Sequence, residues 1–186
     1  MVAAACRRDN KKNIARAVSV RIAGYHGRMV PTYHSETFLR QLRSFLSQEK
    51  NLQKPIKVSK TSEVFKWRYE DTVLYMKRYP CVGMKLFFQT VFQLNKAQKS
   101  WRVGRYLLER GIDTPQPVFY LRRRVATFKS DHILATAGIH NSISLRDYIN
   151  RNFQKNRFTQ KEKRVLIARA AEFLGRLILA ACTMVI

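Results

Sequence analysis

Lys77 is the residue of this chain whose setting points most directly to chemistry. It stands in the β-branched and aromatic run from Thr72 to Tyr79, TVLYMKRY. Alternation along such a run places Val73, Tyr75 and Lys77 on one face and Leu74 and Met76 on the other. A lysine in line with apolar neighbours lays its stem along them and sends its ammonium towards a cleft or an anionic partner. Other chemistries find less support. The three cysteines, Cys6, Cys81 and Cys182, are far apart and in no CxxC or CxxH spacing, so neither a zinc site nor a disulfide framework is expected, and reduced thiols are the default.

The charge balance extends the same theme. Lys and Arg number 36 against 12 Asp and Glu, a net charge of +24. An excess of that size favours anionic partners: nucleic acid, an acidic membrane surface or a phosphorylated substrate. With 186 residues, 46% of them hydrophobic, the chain is long and apolar enough for a folded domain with a core. No apolar run approaches the length that spans a bilayer, and the first residues, MVAAACRRDNKK, carry no signal-peptide core.

The elements that must position Lys77 follow from periodicity. Residues 1–30 are basic without a clear period and read as a loosely ordered part of an extension over 1–34. From Ser35, the positions Phe38, Leu39, Leu42, Phe45 and Leu46 predict an amphipathic helix of about three turns. Lys50 to Lys54 is a polar connector. Residues 55–59, 63–69 and 72–79 alternate with period two and predict a three-stranded antiparallel meander. Ala97, Trp101, Gly104 and Leu108 form one helical stripe, with a gap at Gly104 where another element can approach. Gly111 suits the left-handed position after that helix, and Pro115 follows as a stop. Val118 to Leu121 and His132 to Thr136 predict two strands around a basic turn, Arg122 to Arg124, with Gly138 ending the second. Ser144 with Asp147 opens one helix. Thr159 with Glu162 is a capping box opening another, whose Ala170, Phe173, Leu174 and Leu177 are expected to form a buried stripe.

Five antiparallel strands with one helix between the third and fourth, followed by helices, is the order of a protein-kinase small lobe leading into a large lobe. The words in the sequence sharpen this. VSKTSEVFKWRYEDTVLYMKRYP, KAQKSWRVGRYLLERGIDTPQPVFYL, ISLRDYI and AAEFLGRL together resemble the lipopolysaccharide kinase (Kdo/WaaP) family over roughly residues 54–177. The most specific part is Gly111-Ile-Asp-Thr-Pro-Gln-Pro117 with Trp101 upstream. The fold class implied is α+β: a five-stranded small lobe over 35–139, with leading helix and hinge, then the start of a helical large lobe over 140–186.

The resemblance implies roles for particular residues. Lys77 would be the strand lysine that holds the α- and β-phosphates of ATP. Ser59, Lys60, Thr61 and Ser62 would form the turn that covers the phosphates, with hydroxyls contributing where a glycine-rich loop would use backbone. Ala135 to Ala137 and onward to Ile139 would be the hinge against adenine. Kinases pair the strand lysine with a glutamate on the following helix. Here the centre of that helix reads Gln98-Lys99-Ser100-Trp101, and its glutamate, Glu109, lies at the far end. The family's His-Gly-Asp-Leu type loop and magnesium-binding acid would follow Leu177. Position 178 is instead Ile178, and the last acid is Glu172, so no catalytic or metal residue is assigned.

Three functions compete. The resemblance implies ATP-dependent phosphotransfer to a Kdo or heptose sugar of the lipopolysaccharide core, with ATP and magnesium as cofactors. It also implies a cytoplasmic position at the inner membrane, where each basic residue adds ~1 kcal/mol of attraction to anionic lipid. Alternatively, the chain is a kinase-like scaffold without activity, truncated before the catalytic loop. The third is a basic nucleic-acid-binding protein, in which Phe65, Trp67, Tyr69, Tyr75 and Tyr79 stack bases. No nucleic-acid motif accompanies those aromatics, and a specific nucleic-acid partner is not expected.

Overall fold

In the computed structural model the described residues are 16–47, 54–82, 96–126, 129–139, 142–153 and 159–182. Residues 1–15, most of the expected connector at Lys50 to Lys54, and residues 183–186 lie outside them. The chain divides into two compact units, Met1–Gly138 and Ile139–Ile186.

The first unit opens with a hairpin, β1 (Val18–Ile22) and β2 (Tyr25–Met29). Its two-residue turn, Ala23-Gly24, has φ of 48° and 77°, the pair of left-handed conformations that matches the twist of adjoining strands. Val20, Ile22, Tyr25 and Met29 point inward and Ser19, Arg21, His26 and Arg28 outward. This corrects the expectation of a loosely ordered segment. Gly27 stands at one of the inward positions, which blurs the alternation, and the turn carries Ala-Gly rather than the stronger Asn-Gly signal.

A short 3-10 turn (Pro31–Tyr33) leads to α1 (Glu36–Ser47), whose N-terminus is capped by the Ser35 hydroxyl accepting from the Phe38 N–H at 3.2 Å. Then come β3 (Lys57–Ser59), β4 (Ser62–Tyr69) and β5 (Thr72–Val82). Helix α2 (Lys96–Glu109) follows, and then β6 (Pro117–Ala126) and β7 (Lys129–Ala137). Among the described residues these strands make one antiparallel sheet in the order β1-β2-β6-β7-β5-β4-β3. The sheet therefore has seven strands, not five, because the hairpin extends it beyond β6. Arg122 to Arg124 is not a turn but part of β6. Arg122 faces the His26 ring and Arg123 the Tyr25 ring, so the hairpin supplies partners on both faces that keep these arginines in a strand.

The core lies between the sheet and α1. Phe38 and Leu42 are fully buried in one cluster with Met29, Phe119, Leu74 and Met76. The Phe38 ring meets Tyr69, Trp67 and Tyr33 at centroid distances of 4.7, 5.3 and 5.3 Å. On the opposite face α2 buries Ala97 and Trp101, with Trp101 5.7 Å from Tyr120. The gap at Gly104 is filled by Pro117: a Cβ there would come within 2.6 Å of the proline Cγ. Gly111 has φ of 67°, and its N–H and that of Ile112 donate to the carbonyls of Leu108 and Leu107, closing the helix end.

The second unit contains α3 (Leu145–Phe153) and α4 (Gln160–Cys182). The Ser144 hydroxyl accepts from the Asp147 N–H at 3.0 Å. At Thr159 the box closes both ways: its N–H donates to Glu162 at 2.8 Å and its hydroxyl accepts from the Glu162 N–H. The apolar stripe of α4 is not buried as expected. Phe173 and Leu174 are exposed, because two helices offer too little apolar surface to cover a helix of this length on all sides.

Candidate functional site

Lys77 sits on an interior strand. Val64 of β4 stands opposite it on one side and Leu134 of β7 on the other. Leu74 and Met76 are buried beneath α1, so Lys77 shares the other face with Val73, Tyr75 and Tyr79, the face on which α2 packs. Its ammonium lies 5.2 Å from the centroid of the Tyr79 ring, a cation–π contact worth ~0.5–1 kcal/mol. Among the described residues Lys77 has no carboxylate partner. The Glu109 carboxylate is 3.9 Å from Arg105, one turn back on the same helix.

The hydroxyl turn joins β3 to β4, with Ser59 opposite Ser62. The Ser59 hydroxyl accepts from the Ser62 N–H at 3.1 Å, donates to the Ser62 carbonyl at 3.1 Å and lies 2.9 Å from the Ser62 hydroxyl. The two serines therefore close the turn on itself. Lys60 and Thr61 are exposed at its tip, where they are free to meet an anion. Ser62 stands two residues from Val64 and so falls on the face of Lys77.

The hinge residues are placed differently. Ala135 pairs with Met76 and Phe119 and is fully buried. The Ala137 N–H donates to the Gln116 carbonyl at 2.8 Å and the Gly138 N–H to that of Val73 at 2.7 Å. Both alanine side chains point to the α1 face, away from Lys77, and the amides of Ala137 and Gly138 are used within the sheet.

Two groupings escaped the sequence reading. On the α1 face, Asp131 is 2% exposed. It accepts from Nε and Nη2 of Arg78 at 2.9 Å and from the Tyr25 hydroxyl at 2.6 Å. Burial, and then the hydrogen bond to Asp131, hold the Tyr25 phenol above its usual range. Burial alone would weaken the Arg78 charge, but the Asp131 carboxylate outweighs it and raises the guanidinium further. On the α2 face, His26, Arg122, His132 and Tyr79 align across four strands. Arg122 Nε donates to His26 Nε2 at 2.6 Å. Burial and then the charges of Arg122 and Arg21 depress the His26 imidazole. Burial chiefly depresses His132, whose Nδ1 has no hydrogen-bond partner among the described residues. The signal available was a lone acid, Asp131, shortly before the apolar run Ile133 to Ala135.

No family model matches the sequence, and no curated protein matches it. Among solved structures, the chain is similar to WaaP in complex with acyl carrier protein, with a TM-score of 0.53 and 17% identity. The fold is kinase-like. The likeness covers 76% of this chain and 54% of that one, so the chain spans about half the length of that protein. β3 to β7 with α2 follow the strand and helix order expected from the sequence, and the β1–β2 hairpin adjoins them at β6.

The remaining chemistry is bounded by what the described residues hold. No group of three or more His, Cys, Asp or Glu among them is arranged to take a metal ion. No helix among them is long and apolar enough to cross a membrane. Of the five strand aromatics that could stack bases, Phe65, Trp67, Tyr69 and Tyr79 are buried and Tyr75 is 37% exposed. A stacking platform needs open ring faces, and this sheet keeps most of them in its core.

Proposed function

We propose that the chain is a nucleotide-holding, kinase-like small lobe from the phosphotransfer chemistry of lipopolysaccharide-core kinases. The observation that carries this is the Lys77 ammonium, half-buried on the α2 face of an interior strand and matched by no carboxylate among the described residues. The α- and β-phosphates of ATP would supply the missing negative charge. Lys60 and Thr61 would approach them from the turn. ATP would supply the phosphoryl group, and the acceptor would be a sugar hydroxyl of the lipopolysaccharide core or another anionic glycolipid. On this reading the protein would work at the cytoplasmic face of the inner membrane, with basic residues facing lipid phosphates. Acyl carrier protein, present in the complex of the fold neighbour, is a further partner to test by co-purification.

Calorimetric titration with a non-hydrolysable ATP analogue tests the nucleotide claim. Binding that Lys77→Ala abolishes supports it, and absence of binding in the wild-type chain removes it. The lack of a glutamate beside Lys77 favours a second reading, a kinase-like scaffold that holds nucleotide without turnover. Release of phosphate from ATP by the wild-type chain, lost in Lys77→Ala, would exclude that second reading.

A further inference from the structure

The β1–β2 hairpin and β6 enclose a groove of about 710 Å³ lined by Arg21, Arg28, Arg122, His26, Tyr120 and, from α1, Arg43. None of the four arginines has an ion pair among the described residues. Charges of one sign gathered in a concavity repel one another and focus potential on any anion that enters. The arrangement is ordered rather than scattered. Arg21, His26 and Arg122 lie side by side across three strands, and Arg122 is fixed by donating to the His26 ring. Arg28 stands opposite Tyr120 in the next outward-facing row, about 7 Å along the strands. Guanidinium groups match phosphate oxygens with paired N–H donors, which ammonium groups do not, and these cations are all arginine in a chain that also uses lysine freely.

We propose that this groove binds an anion carrying two phosphate groups, one between Arg21 and Arg122 and the other at Arg28. The site is separate from Lys77, since α2 packs over Tyr120 between them, and it does not depend on nucleotide binding. Only the source is open: a soluble sugar bisphosphate and a lipid headgroup present the same chemistry. A neutral His26 is suited to the role, because its Nε2 lone pair stays available to accept from Arg122 and hold that guanidinium in place.

The test uses the full chain carrying Lys77→Ala, so that a phosphate site at Lys77 contributes nothing. A sugar bisphosphate is titrated while the His26 ring and arginine Nε resonances are followed by NMR. Shifts confined to His26, Arg21, Arg28 and Arg122 are expected. Arg28→Gln should weaken binding about tenfold, the loss of one charge-assisted hydrogen bond. The triple variant Arg21→Gln, Arg28→Gln, Arg122→Gln should abolish it. A control of equal charge change on α4, Lys161→Gln, Arg164→Gln, Arg169→Gln, should bind as before. Equal weakening in the control, or shifts spread over other arginines, overturns the proposal, as does absence of binding to both the bisphosphate and vesicles. Flotation with phosphatidylcholine vesicles doped with cardiolipin, whose headgroup carries two phosphates, identifies the source. Flotation lost in the groove triple and competed by the bisphosphate assigns a lipid headgroup, and bisphosphate binding without flotation assigns a soluble ligand.

Discussion

The Lys77 ammonium is held over the ring of Tyr79, two residues further along the same face of β5, at 5.2 Å from the centroid. A ring restrains an ammonium without neutralising it, so the cation stays available to a phosphate while its position is narrowed. Tyr79→Leu keeps the apolar body and removes the π face. It should weaken binding of a non-hydrolysable ATP analogue about two- to fivefold, the worth of one such contact. Calorimetry on a variant with unchanged circular dichroism checks this, and unchanged affinity would detach Tyr79 from the site.

The Asp131 carboxylate serves Arg78 and Tyr25 together. Removing it leaves a half-buried guanidinium without its counter-charge, which costs about 3–5 kcal/mol in comparable settings. Asp131→Ala should therefore be severely destabilised in urea. Tyr25→Phe deletes one hydrogen bond while the ion pair remains, and should cost about 1–2 kcal/mol. If the two variants lose equal stability, the network does not divide in this way.

Both depressed histidines predict a loss of stability in mild acid. His26 and His132 are held neutral in the fold by burial and neighbouring charge, whereas an unfolded histidine takes its proton near pH 6.5. Their contribution is complete above that value and declines as pH falls below it towards their lower folded values. The urea midpoint should drop between about pH 7 and pH 5. His132→Gln, which cannot titrate, should flatten the drop, and an unchanged slope would assign the acid sensitivity elsewhere.

At Gly27 the hairpin approaches β6 so closely that a Cβ would collide with the Tyr120 carbonyl oxygen. Gly27→Ala must push the strands apart, an overpacking cost of about 1–3 kcal/mol. Amide exchange should rise in Tyr25–Met29 and little in β3 to β5. Uniform exchange across the sheet would show that the hairpin and the remaining strands open as one unit.

What the sequence disclosed depended on how strongly each local rule was expressed. The meander around Lys77 was legible because bulky residues alternate without interruption from Phe65 to Tyr69 and from Val73 to Tyr79. Ser35, Gly104, Gly111 and Thr159 were legible because caps and close approaches demand particular residue types. The hairpin was not, since Gly27 replaces a bulky inward residue and the turn is an unremarkable Ala-Gly. Arg122 to Arg124 misled for a related reason. Three like charges suggest a solvated turn, and only the pairing partners His26 and Tyr25, about a hundred residues earlier, make a strand of them. The contact of Lys77 with Tyr79 could have been anticipated from their two-residue spacing, whereas the joining of Asp131 to Arg78 required the register of β5 on β7.

The attachment of β2 to β6 also bears on where this chain can be cut. A piece beginning at Ser35 would keep the whole kinase-like sheet, yet it would expose the main-chain donors and acceptors of β6 that now pair with His26 to Met29. An uncovered strand of that kind is a template for pairing with other copies. It would also strip the Tyr25 hydroxyl from Asp131. Shortened versions for crystallisation or binding assays should start before Val18, and those that start later are expected to aggregate for reasons unrelated to nucleotide or lipid.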